Sequence, residues 1–190
     1  GDTGAYASVG MKVLERAAGH ATSAYQVPAI EVLSQAVYTN NIPCGAMRGF
    51  GVNQINFAFE GCVDELCKMG GFDRWQIRYN NALQPGDMTS TGQILKSGIG
   101  IRKTLLAVKD HFYNAQFAGI ACGIKNTGIG NGVPDKGKVK VVIESPEHIV
   151  IHHGWTEMGQ GVYTMAIQFL CEVSGVDPDY VEVRVDTFEE

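Results

Sequence analysis

The run Gly45-Ala46-Met47-Arg48-Gly49-Phe50-Gly51-Val52-Asn53 constrains the fold of this chain more than any other stretch. It sets one arginine and one aromatic in a glycine-rich turn that leads straight into a helical pattern over about residues 52–69. Val52, Ile55, Phe59, Val63, Leu66 and Met69 share one face of that helix, and Gly70-Gly71 stops it. Glycines let backbone approach a ligand closely and accept positive φ, and a helix N-terminus offers unpaired N–H groups to an anion. The turn is therefore suited to holding an anion beside Arg48. Taken alone, the same pattern also fits a tight loop whose arginine is solvated. A second glycine-rich stretch, Gly154-Trp155-Thr156-Glu157-Met158-Gly159-Gln160-Gly161, precedes another helical pattern at residues 162–173.

The rest of the chain predicts an α+β fold of two subdomains, each with mixed sheet and packed helices, over residues 1–115 and 116–190. In the first, a helix is expected over residues 8–22, with Val9, Val13, Leu14 and Ala17 on its apolar side, and a strand over Ile30 to Tyr38. A helix from Asp73 to Asn81, capped by Asp73, and another at about 100–114 follow. In the second, Gly119 to Gly123 reads as a buried strand and Lys125 to Gly132 as a loop. Val139 to Ile143 and Ile149 to His153 read as an antiparallel pair, and Val181 to Val185 as a strand of period two.

Composition narrows the partners. The hydrophobic fraction of 45% and charged fraction of 18% are those of a globular protein. A net charge of -5 with no basic stripe argues against nucleic acid. No stretch reaches the ~18 apolar residues of a membrane span, and no charged n-region followed by an apolar h-region occurs in the sequence. The five cysteines form no C-x-x-C and no zinc-like spacing. An odd count without a secretory signal favours free thiols and a cytoplasmic setting. His152 and His153, adjacent on a strand, face opposite ways and are not expected to share a metal. The chain starts without methionine and stops just after a strand pattern, so an internal fragment of a longer protein is expected.

Arg48-Gly49-Phe50-Gly51 with Gln54 resembles the RGFG-x-x-Q signature of the molybdenum hydroxylases, the xanthine dehydrogenase/aldehyde oxidase family, and Gly154 to Gly161 resembles that family's G-x-TEMGQG cofactor loop. The two stand in the family's order, and the resemblance covers essentially the whole chain. It implies part of the molybdopterin-binding subunit of a xanthine dehydrogenase-like enzyme that inserts a water-derived oxygen into a purine or related N-heteroaromatic. Molybdopterin would be the cofactor, with [2Fe–2S] centres and FAD on other domains or subunits of an oligomeric complex. Arg48, Gly49, Met158, Gly159 and Gln160 would contact the cofactor, and none would ligate molybdenum directly. Phe50 would contact the substrate ring, where an aromatic face gains by offset or edge packing.

Arg16, in Leu14-Glu15-Arg16-Ala17, resembles the position where xanthine dehydrogenases place the arginine that stabilises charge developing on the purine, a catalytic and substrate-binding role. A surface arginine on an amphipathic helix is its ordinary alternative. Trp155 stands where the family usually has glycine, and either narrows the pocket or packs outward. The 125–132 loop lacks the second aromatic of xanthine dehydrogenases, which leaves aldehyde or nicotinate oxidation open. A non-catalytic anion-binding module is the alternative from another class. The family's catalytic glutamate and its upstream cofactor loop find no match, so the isolated chain is expected to be inactive.

Overall fold

The computed structural model describes residues 1–128 and 134–185, and its chain divides into two compact units, Gly1–Asn126 and Thr127–Glu190. Both combine helices with paired strands, an α+β architecture.

In the first unit, β1 (Asp2–Gly4) pairs in parallel with β2 (Val37–Tyr38). Four helices follow the chain: α1 (Gly10–Ala18), α2 (Val52–Gly70), α3 (Arg74–Asn81) and α4 (Ile101–Asn114). α2 stops where Gly71 turns left-handed, φ 66°, and returns its N–H to the Cys67 carbonyl. Two residues on, the Asp73 carboxylate accepts from Gln76 N at 2.6 Å and starts α3. Trp75 centres the α3–α4 core: it is buried, donates Nε1–H to the Leu105 carbonyl at 2.9 Å and stacks on Tyr79.

A buried polar network ties this core to α2. The Arg78 guanidinium, fully buried, holds Glu60 at 2.6 Å and Asp64 at 2.8 Å. Glu60 also accepts from the Tyr25 hydroxyl and, at 3.1 Å, from the Cys122 amide. Burial, and secondly the bond to Glu60, push the Tyr25 phenol far above its ordinary range.

The second unit is a three-stranded sheet in the order β3 (Val139–Ser145), β4 (His148–His153), β5 (Val181–Val185), with α5 (Val162–Ser174) connecting the last two. β3 and β4 form an antiparallel hairpin, whereas β4 and β5 run parallel, Ile151 opposite Val183. A parallel pair needs a crossover, and α5 supplies it. Ile149, Val150 and Ile151 of the central strand are buried.

Three expectations need correction. The first helix ends at Ala18 rather than residue 22, because His20 N and Ala21 N bond three residues back, to Ala17 and Ala18, and tighten the chain out of the helix. Of the strand foreseen over 30–38, only Val37–Tyr38 pairs; β1 offers no longer partner, and residues 30–36 stay exposed despite their β-branched content. Gly119 to Gly123 forms no strand: Cys122 gives its N–H to Glu60, and its carbonyl accepts from Ser23 Oγ at 3.3 Å, so side chains satisfy what a ladder would have satisfied. Residues 129–132 of the expected loop lie outside the described residues. Among the described residues, no helix is long and apolar enough to cross a membrane.

Candidate cofactor site

The turn before α2 is built by three successive left-handed residues, Gly49 at φ 94°, Phe50 at 47° and Gly51 at 91°. Phe50 is a bulky residue in a region that disfavours side chains, a strain that persists only where surroundings enforce it. They do so closely. Phe50 N bonds Met47 O at 2.8 Å, Val52 N bonds Gly49 O at 3.1 Å, and the Asn53 amide reaches back to the Arg48 carbonyl at 2.8 Å. A Cβ on Gly49 would collide with that Asn53 side chain. A Cβ on Gly51 would collide with the Val13 carbonyl of α1 and come within 3.2 Å of Ala17 N. Gly51 thus seats the turn that carries Arg48, Gly49 and Phe50 directly on α1, the helix that carries Arg16. Arg48 is exposed; Gly49, Phe50 and Arg16 are half-buried.

Gly51→Ala is expected to lower stability by roughly 1–3 kcal/mol from backbone strain alone, and by more as α1 is pushed from the turn. Thermal unfolding would register it; an unchanged midpoint would mean the turn can move off α1 without loss.

In the second unit, residues 154–161 close on themselves. The Glu157 carboxylate accepts from Gly159 N at 2.6 Å, Gly161 N at 3.0 Å and Val162 N at 2.7 Å. These bonds, that from Gly161 foremost, hold its pKa below the usual carboxylate range. Gln160 spans the loop: its Oε1 accepts from Met158 N at 2.6 Å and its Nε2 donates to the Thr156 carbonyl at 2.7 Å. A phosphate approaching the first N–H groups of α5 would meet an obstacle, since the chain's own Glu157 occupies them. Helix-start logic could have found Glu157, a carboxylate just before a helix and favoured there by the dipole. Trp155 stacks on buried His153, ring centroids 4.7 Å apart, and Tyr163 lies against the same imidazole. His153 Nδ1 accepts from Trp155 N at 3.1 Å.

Two family models match, each described as a molybdopterin cofactor-binding domain, over residues 1–82 and 109–189. The chain belongs to the molybdenum hydroxylases, in their molybdopterin-binding part. This molybdopterin-binding chain is 47% identical to the nicotinate dehydrogenase large molybdopterin subunit of Eubacterium barkeri over 105 residues, covering 55% of the chain and 25% of that protein. It is 30% identical to a probable xanthine dehydrogenase subunit from Bacillus subtilis, covering 97% of the chain and 26% of that protein. It shares the fold of the aldehyde oxidoreductase from Desulfovibrio desulfuricans, with a TM-score of 0.80 at 23% identity, over 97% of the chain and 22% of that structure. The molybdopterin-binding chain thus spans about a quarter of the length of the curated relatives.

Its residues fit molybdopterin unevenly. Arg48, exposed on a rigid turn, has a planar fork of donors that suits a phosphate or a ligand oxygen. Among the described residues, Gln160 keeps one N–H and one lone pair beyond its two bonds within the loop. The α5 N-terminus does not fit while Glu157 fills it.

Proposed function

We propose that this chain serves a molybdenum hydroxylase of xanthine dehydrogenase type that adds a water-derived oxygen to a purine or related N-heteroaromatic. The observation that supports the reading is the close approach of Gly51, which follows Arg48 and Phe50 in the turn, to α1, the helix that carries Arg16. Bound molybdopterin supplies the redox chemistry at the ring carbon. Arg48 anchors the cofactor through charge-assisted bonds, aided by Gly49, Met158, Gly159 and the spare capacity of Gln160. Phe50, held in one backbone geometry by its neighbours, orients the substrate ring. Arg16 faces the negative charge that builds on that ring. The five dispersed cysteines make no closely spaced cluster set, so the reading assigns [2Fe–2S] and FAD groups to other domains or subunits of a cytoplasmic complex. The 47% identity to a nicotinate dehydrogenase subunit favours, as a second reading, nicotinate oxidation with the same cofactor.

The test is turnover of xanthine by the holoenzyme in isotopically labelled water. Label in the product supports hydroxylation; unlabelled product or no turnover on any N-heteroaromatic overturns it. Two variants divide the roles. Arg48→Ala is expected to weaken cofactor retention by about 1.5–3 kcal/mol, the worth of a hydrogen bond to a charged group, and to be seen as lost molybdenum. Phe50→Ala should keep its molybdenum and raise KM instead, by the ~0.5–1.5 kcal/mol of an aromatic pair. Equal metal loss in both would refute the division.

A further inference from the structure

A second cationic residue stands by Arg16, outside both glycine-rich motifs. Arg16 lies in the last turn of α1. One turn further, His20 places Nδ1 2.9 Å from the Arg16 carbonyl and accepts at Nε2 from the Asn126 amide at 3.1 Å. An Nε2 that accepts carries no proton, so Nδ1 carries it and donates to Arg16; His20 is a neutral pin between α1 and the segment that ends the first unit. Burial, and then the charges of Lys125 and Arg16, outweigh that carbonyl bond and keep its pKa low. The segment is held upstream as well, where Cys122 bonds Glu60 and Ser23. Lys125 sits between these anchors. Its ammonium donates to the Asn126 carbonyl at 3.0 Å and to Asn126 Oδ1 at 2.9 Å, both uncharged acceptors. Its third N–H has no partner among the described residues. Burial and the nearby Arg16 charge lower the Lys125 pKa, so an anion arriving at this ammonium would relieve an existing repulsion.

We propose that Lys125, pinned beside Arg16 through His20 and Asn126, is the specificity-determining residue that selects a ring bearing a carboxylate over an uncharged one. The proposal rests on the hydroxylase reading of Arg16 and divides the labour: Arg16 answers charge that develops during reaction, and Lys125 answers charge the substrate already carries. A lysine confined by its backbone loses little freedom on binding, which makes its one spare donor effective.

Equilibrium titration of the dithionite-reduced holoenzyme, in which no turnover runs, tests this separately from catalysis. The probes are nicotinate and its uncharged amide, nicotinamide. The wild-type enzyme should bind nicotinate more tightly by roughly tenfold, the scale of one charge-assisted hydrogen bond. Lys125→Met should erase that preference while leaving the Kd for nicotinamide within about twofold, because only the charge term is removed, and Lys125→Arg should retain it. Lys125 is exposed, and unchanged circular dichroism would confirm that the variants fold. A wild type that binds nicotinate no better than nicotinamide, or a preference that survives in Lys125→Met, overturns the proposal. Selective binding without hydroxylation of any ring would instead strike the catalytic reading and leave the carboxylate site standing.

Discussion

Arg78→Met is expected to destabilise the protein by about 3–5 kcal/mol, the loss typical when one partner of a buried ion pair is removed. The guanidinium is fully buried and is held by Glu60, Asp64 and the Arg74 carbonyl. Without it, Glu60 stays buried with only the Tyr25 hydroxyl and the Cys122 amide to balance its charge. A loss of that size is a large share of a domain's ~5–15 kcal/mol, so urea unfolding should show a marked fall in midpoint. The double variant Arg78→Met, Glu60→Leu should recover part of the loss, since it removes the stranded charge with its partner. A single-variant loss below ~1 kcal/mol, the value of an exposed pair, would mean that water reaches Glu60.

Arg16→Met is expected to lower kcat for an N-heteroaromatic by roughly 100-fold or more, the scale seen when one preorganised donor to a developing charge is lost. Molybdenum content should stay intact, because the residue acts on substrate and not on cofactor. Aldehyde oxidation should suffer far less, since its charge gathers on an oxygen that the metal serves. Unchanged turnover of the ring substrate would remove the main support for a heteroaromatic substrate. Together with Lys125→Met, the variant separates two effects: Arg16 is expected in kcat, Lys125 in affinity.

Helices announced themselves wherever apolar spacing agreed with caps: α2, α3, α4 and α5 all lie within a residue or two of the expected bounds, and Asp73 caps as its type suggests. The hairpin of β3 and β4 and the period-two β5 were equally legible. The misses have separate causes. His20 and Ala21 bond three residues back and end α1 early, residues 30–36 find no partner strand, and at 119–123 Cys122 bonds Ser23 and Glu60, side chains distant in sequence that no local pattern encodes. The candidate site divides in the same way. Glycine-rich motifs marked Arg48, Phe50 and Gln160, because glycine advertises unusual backbone. Glu157 lies within the second of these motifs, just before a helix, and its partners are local; Lys125 gave no such sign, for its proposed role depends on which charge the fold brings near.

The self-capped loop of the second unit bears on how a ligand would be received there. Because Glu157 and Gln160 already bond its amides, residues 156–162 hold one shape before any ligand arrives. The conformational entropy of that loop is lost once, during folding, so association need not order it again. A pterin bound there, as proposed, would meet a template rather than a flexible strand, and would have to displace a single carboxylate, not a disordered ensemble.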